Sequence, residues 1–157
     1  MTTFKTHSAG YLANHMARLF AKALAESIRP LGLAPAQFMV LLELWREDGV
    51  TQKHLVERLD VEQATMASTL ARMERDGFIE RRPDPADARA RIIHLTGRAR
   101  ELEQAALAEA RQVNRRALAG FPEEEAEQLL AGMRRVISSL SDKPAEPGLP
   151  VSPNPVD

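Results

Sequence analysis

Cysteine is absent from the 157-residue chain, which removes disulfides, thiolate metal sites and peroxide sensing through a thiol. No apolar run approaches the roughly 20 residues that a bilayer-spanning helix needs. The opening stretch MTTFKTHSAGYLANHM has none of the basic-then-apolar shape of a secretion signal, so a cytoplasmic location with no membrane partner is expected. Charge of one sign is not in excess either. The 21 Lys+Arg face 22 Asp+Glu, a net of −1, so composition carries no overall basic footprint of a nucleic-acid binder. Catalytic signatures are missing: there is no G-x-S-x-G, no phosphate-cradling glycine loop and no H-E-x-x-H. His7, His15, His54 and His94 are scattered, and a surface pairing of His54 with Glu57 on one helix face does not amount to a metal site. No enzyme activity, cofactor or metal is expected.

What is present is mostly helical periodicity. Leu12, Met16, Leu19, Phe20, Ala23, Leu24 and Ile28 recur at helical spacing, which predicts a long amphipathic helix over 8–29, stopped by Pro30 and Gly32. A second helix over 34–47 opens with proline in its first turn and buries Phe38, Leu41, Leu42 and Trp45. Thr51 is placed to cap a short helix over 51–59, and after DVEQ a further helix over 62–76 points Met66, Leu70 and Met73 inward and ends at Gly77. FIERR and RARIIHLT are β-prone and are joined by the turn-rich PDPADA. Helices follow over 97–118 and 122–140, the second with Glu123 to Glu125 in its first turn, where the helix dipole favours negative charge. Prolines 144, 147, 150, 153 and 155 then predict a disordered tail over 141–157.

The order of helix, helix, helix, helix, hairpin, helix, helix reads as a mainly α fold with a small two- or three-stranded β wing. It is a winged helix-turn-helix flanked by N- and C-terminal helices. In such a motif the second helix enters the DNA major groove. Its outward face carries Gln63, Ala64, Ala67, Ser68, Ala71 and Arg75. Gln63 is the candidate base reader, because a carboxamide can bond adenine bidentately, and Ala64 and Ala67 suit contact with thymine methyls. The same pattern fits an ordinary polar helix surface. The hairpin that follows gathers cations at its tip: Arg89 and Arg91 alternate with Ala90, and inserted arginines favour narrow A·T-rich minor grooves. Asp87, two residues before Arg89, is placed to fix its guanidinium by a charge-assisted hydrogen bond.

The stretch LVERLDVEQATMASTLARMERDGFIERRPDPADARARIIHLTGRAR resembles the core of the multiple-antibiotic-resistance regulator (MarR) family of bacterial transcription factors. The likeness lies in the leucine-rich first helix, the recognition helix ending ARMERDGFIERR, and the wing DPADARARIIHLT. Asp87, Arg89, Leu95 and Thr96 fit the family's D-x-R wing and the Leu-Thr that follows it. The resemblance extends over roughly residues 8–140. Ala67 and Ser68 stand where relatives often place threonine and a basic residue, which implies fewer base contacts. His54 stands where a capping box would place glutamate.

The resemblance implies an obligate homodimer gripping a palindromic double-stranded DNA operator, with 1–34 and 97–140 as dimerisation helices and 35–96 as the DNA-binding domain. DNA contacts are then expected from Thr51, Gln63, Ala64, Thr65, Ala67, Ser68, Arg72, Arg75, Asp87, Arg89 and Arg91. Independently, the helices over 8–29 and 122–140 are too apolar for one small lobe to cover. The family also implies release by a small aromatic or phenolic effector. Tyr11, His15, Arg18, Phe38 and Trp45 form a candidate pocket, with Arg18 for a carboxylate and Tyr11 and His15 as hydrogen-bond donors. Tyr11, His15 and Trp45 also fit as interface or core residues. The expected function is a ligand-responsive repressor; the alternative is a winged-helix scaffold that binds protein without reading DNA.

Overall fold

The computed structural model describes residues 3–143. A one-turn helix α1 (Phe4–His7) precedes α2 (Ala9–Ile28), which Ser8 caps by accepting a hydrogen bond from the Tyr11 amide at 3.2 Å. Arg29–Leu31 tighten into a 3-10 turn that closes on Gly32, whose φ of 78° lies in the left-handed region. The helix expected over 8–29 is therefore shorter by one residue at each end, with a separate turn before it. Then come α3 (Pro35–Arg46), β1 (Val50–Thr51), α4 (Gln52–Leu59), α5 (Gln63–Arg75), β2 (Ile79–Asp84), β3 (Asp87–Leu95), α6 (Gly97–Glu101) and α7 (Glu103–Ala117).

The sheet order is β1-β3-β2, antiparallel throughout. The third strand is only two residues long, with Val50 opposite Ile93 and Thr51 opposite Ile92. The hairpin is longer than the sequence suggests. Pro83 and Asp84 belong to β2, and only Pro85 and Ala86 remain between the strands. Proline is tolerated there because β2 is an edge strand, so its missing N–H breaks no inner ladder. The helix expected over 97–118 is divided at Leu102 into α6 and α7.

One apolar core joins these elements. Ile28, Leu41, Leu44, Leu55, Leu70, Met73 and Phe78 are fully buried, with Met66, Val40, Ile93 and Ile79 nearly so. Helix α5 ends by two bonds characteristic of a left-handed C-terminus. The Phe78 amide donates to the Met73 carbonyl at 2.9 Å and the Gly77 amide to the Glu74 carbonyl at 3.2 Å, with Gly77 at φ 80°. Thr96 closes the joint: its hydroxyl donates to the Gly77 carbonyl at 2.7 Å and accepts from the Ala99 amide, capping α6.

Two side chains that link distant parts of the chain have no local sequence signal. Trp45 donates its indole N–H to the Ala99 carbonyl at 3.0 Å, pinning α3 to α6. Asp48 accepts from the Leu95 amide and from Arg100 Nη2, both at 2.8 Å, and lies 3.9 Å from His94 Nδ1.

The segment from Arg116 onward forms a separate compact unit. Its helix α8 (Glu123–Leu140) carries Glu123, Glu124 and Glu125 in its first turn, as the dipole favours. Leu130, Val136, Ile137 and Leu140 are exposed along it. Most of the predicted proline-rich tail lies outside the described residues. Among the described residues, no helix is long and apolar enough to cross a membrane and no group of three or more side chains is arranged to hold a metal.

Partial burial acts to raise the pKa of Asp48. The Leu95 amide, the Arg100 guanidinium, the Gly49 amide and the His94 charge outweigh it, holding the carboxyl below its ordinary 3.8. A depressed carboxylate pKa stabilises the fold above the ordinary value, and this contribution fades as pH falls through the folded one. Asp48→Ala should therefore cost about 1–3 kcal/mol at neutral pH, the usual range for a charge-assisted bond. In urea melts run as a pH series, the difference from wild type should shrink below the ordinary carboxylate pKa. A difference that stays constant down to strongly acid pH would show that the carboxylate charge is not what holds the joint.

Candidate nucleic-acid interface

Helices α4 and α5 are joined by Asp60, Val61 and Glu62. The turn is made by Asp60, which adopts φ 52° and ψ 40°. That conformation is uncommon for residues other than glycine, and aspartate is among the few that tolerate it. Thr51 caps α4 as the sequence predicts, its hydroxyl accepting from the His54 amide at 3.1 Å.

Along α5 the side chains separate cleanly. Met66, Leu70 and Met73 are buried, whereas Gln63, Ala64, Thr65, Ala67, Ser68, Ala71, Arg72 and Arg75 are all exposed. The exposed set is small near the helix start and cationic near its end. Glu74 is the acidic exception, and it lies 3.1 Å from Arg81 Nε on β2. That nitrogen makes no well-aimed hydrogen bond, so the contact counts as an ion pair and not as a directed bond.

The wing differs in detail from expectation. Arg89 and Arg91 are not at the hairpin tip. They occupy the third and fifth positions of β3, past the Pro85–Ala86 turn. Side chains on a strand alternate between faces, so Arg89 and Arg91 share the face of β3 that buries Ile93 and Leu95 farther along. Where the sheet extends beyond the core, that face passes from isoleucine and leucine to arginine.

Asp87 acts on the backbone instead of the guanidinium. Its Oδ1 accepts from the Arg89 amide at 2.9 Å, and Asp84 does the same for the Ala86 amide at 2.9 Å. Two consecutive aspartate turns thus fix the path of the chain into β3. Among the described residues the Arg89 guanidinium has no partner.

The five residues expected to form an effector pocket are not brought together. Tyr11, His15 and Arg18 lie on an exposed side of α2, where the Tyr11 and His15 rings meet edge-on at 6.3 Å. Trp45 packs edge-on to Phe38 at 6.1 Å and has committed its N–H to Ala99. Of the five, only Phe38 lines a groove of about 670 Å³ between α2, α3 and α7. Ala17, Phe20, Ala21 and Leu24 form one wall, Pro35, Ala36, Phe38, Met39 and Leu42 a second, and Leu107, Ala110 and Val113 a third. Arg111 and Asn114 supply its polar lining. Sequence reasoning missed this groove because its walls are alanines and ordinary core residues from three separated helices.

Asp76, the C-cap of the recognition-type helix, was also missed. It accepts from Gln37 Nε2 at 3.0 Å and from Arg75 Nε at 3.5 Å, and its carbonyl accepts from Arg98. The Gln37 hydrogen bond is the main reason its carboxyl is held below the usual range.

Comparison with known proteins agrees with this geometry. Residues 31–90 match the MarR family model. The chain is 32% identical over 114 residues to an uncharacterised helix-turn-helix transcriptional regulator, YwoH, of Bacillus subtilis, covering 73% of this chain and 82% of the relative. It is 31% identical over 107 residues to the transcriptional regulator HosA of Escherichia coli, covering 68% and 79%. Among solved structures, a crystal structure of MarR superposes with a TM-score of 0.76 at 29% identity, over 84% of this chain and 96% of that one. A mutant E. coli MarR complexed with operator DNA superposes at 0.79 with 22% identity, over 87% and 99%, a likeness of fold. With its buried α5 stripe, its three-stranded wing and these relatives, the chain belongs to the MarR family of transcriptional regulators, which are not enzymes.

Proposed function

We propose that this chain is a homodimeric, sequence-specific DNA-binding repressor, released from a palindromic operator by a small aromatic or phenolic ligand. The observation that carries the reading is the outer face of α5. Its small residues permit close approach to base edges, and the arginine-bearing face of β3 continues the side of the sheet that packs onto the lobe. In this reading Gln63 reads a base in the major groove, with Ala64, Thr65, Ala67 and Ser68 against base edges. Thr51, Arg72, Arg75 and Arg91 serve phosphates, and Arg89 enters the adjacent minor groove.

Dimerisation through 1–34 and 97–140 is supported by apolar surface that a single chain leaves open. Leu12 and Leu19 on α2 and Val136 on α8 are about half exposed, and Ile137 and Leu140 on α8 more so. The groove between α2, α3 and α7 is the better candidate for the effector than the Tyr11–His15–Arg18 face. It is apolar, with Arg111 and Asn114 available for one acidic or phenolic group. Gel shifts on the promoter of the chain's own gene, run as a salt series, test the reading. Binding should weaken steeply with salt, and a panel of aromatic acids should release it. Salt-independent or absent binding would favour a protein-binding scaffold.

Gln63→Ala should relax discrimination at one base pair of each half-site by about 1–3 kcal/mol. Systematic operator substitution measures this, and an unchanged preference at every position would remove Gln63 as a reader.

Arg89→Ala should weaken binding to operators with an A·T flank and lower the salt slope by about one, leaving the Gln63-dependent preference intact. Asp87→Ala should also weaken binding, although it removes a negative charge near phosphate, because Arg89 loses the turn that fixes its backbone. Tighter binding of Asp87→Ala at low salt would mean that the aspartate acts only through its charge.

A further inference from the structure

Gln37 is the sole polar side chain among the described buried residues, 5% exposed in a core otherwise built from apolar groups. Its two ends are fully used. Oε1 accepts from the Ala34 amide at 3.0 Å, completing the first turn of α3, and Nε2 donates to Asp76 Oδ2 at 3.0 Å across 39 residues of sequence. An amide must present oxygen to an N–H and N–H to a carboxylate, so both partners demand the same orientation of the side chain.

The neighbours of Gln37 give this bond its interest. Pro35, Ala36, Phe38 and Met39, flanking it in the same turn, all line the groove between α2, α3 and α7. Of the first five residues of α3, four thus line the groove, while Gln37 between them holds the end of α5. Asp76 is the C-cap of α5, and the guanidinium of Arg98, which bonds its carbonyl, also lies over the Phe78 ring at 4.6 Å.

We propose that Gln37 is a positioning residue that relays occupancy of the groove to the recognition helix. A ring wedged between α2, α7 and the first turn of α3 displaces that turn, and the Gln37–Asp76 bond carries the displacement to the C-terminal end of α5. The other buried side chains of the two helices, Phe38, Val40, Leu41 and Leu44 on α3 and Met66, Leu70 and Met73 on α5, are apolar. A hydrogen bond is short and directional, so it ties the position of this turn to Asp76 in a defined geometry. The relay rests on the reading that a ligand in this groove controls DNA binding, and the test separates the two.

A tryptophan at Ala21, an exposed groove residue on α2, serves as a built-in occupant in the full chain. Ala110→Phe on α7 is a second occupant should the first fail to fold. Each is combined with Asp76→Ala, which removes the acceptor without touching the Ala34 cap, and with Asp76→Asn, whose amide oxygen still accepts from Gln37. Affinity for a labelled operator duplex is read by fluorescence anisotropy. Opening of the α5 end is read by hydrogen exchange at the Gly77 and Phe78 amides.

The expected result is that Ala21→Trp weakens DNA binding about tenfold, within the usual range of allosteric coupling. The weakening should persist with Asp76→Asn and largely vanish with Asp76→Ala. An equal loss in all three backgrounds overturns the relay while the effector reading stands. Unchanged affinity, with exchange at Gly77 and Phe78 quickened only where the bond is intact, supports the relay and overturns the effector reading. If neither affinity nor exchange responds to the occupant, the relay is overturned together with the effector reading.

Discussion

Three side chains of α5, Met66, Leu70 and Met73, are withdrawn from water almost entirely, and the rest of the lobe is arranged around keeping them there. Each contributes about 1.5–3 kcal/mol by burial, an upper bound because the unfolded chain is itself partly collapsed. That anchorage fixes the rotation of the helix about its own axis. It decides which residues face outward, and so permits an outer face of alanine, serine and glutamine that contributes almost nothing to the core. The identity of the outer residues is thereby released from folding and open to recognition.

Polar interactions supply what apolar packing leaves undetermined, the placement of the elements along and across one another. Helix α3 shows the division of labour. Its start is tied to the end of α5 through Gln37 and Asp76, its last full turn to α6 through the Trp45 indole, and the loop after it to β3 and α6 through Asp48. A central helix held at both ends by carboxylates and near one end by an indole has little freedom to shift without disturbing its neighbours. The Asp76 tie is the one made by a residue whose neighbours on either side, Ala36 and Phe38, line the groove.

The helices were legible from the sequence because each buries a stripe at helical spacing. α5 was clearest, since Met66, Leu70 and Met73 alternate with small or polar residues and Gly77 marks its end. Strand β1 was not legible: two residues, Val50 and Thr51, pair with β3 only because the chain returns from more than forty positions away. Asp48 and Asp76 have the same character. Nothing near them announces partners at Leu95, Arg100 or Gln37. The hairpin was read too short because Pro83 looked like a turn residue, whereas an edge strand accommodates it. Tyr11, His15 and Arg18 share a face of α2 and carry the chemistry an aromatic acid would need. Facing direction could be read there, but which faces converge on a groove depends on how three helices pack. The family resemblance identified the class of protein and the wing motif, yet it did not distinguish Asp87 holding a guanidinium from Asp87 holding an amide.

The outer edge of the wing has a further consequence. A free strand edge is a template on which another chain can add strands and begin to aggregate. Strand β2 carries Glu80, Arg81, Arg82 and Asp84 within six residues and interrupts its own edge donors with Pro83. The opposite edge, β1, is two residues long. Both borders of the sheet are therefore poor seeds for a growing fibril. The open apolar surface of the described residues lies mainly on helices instead, so the borders of the wing offer no ready edge for a further strand.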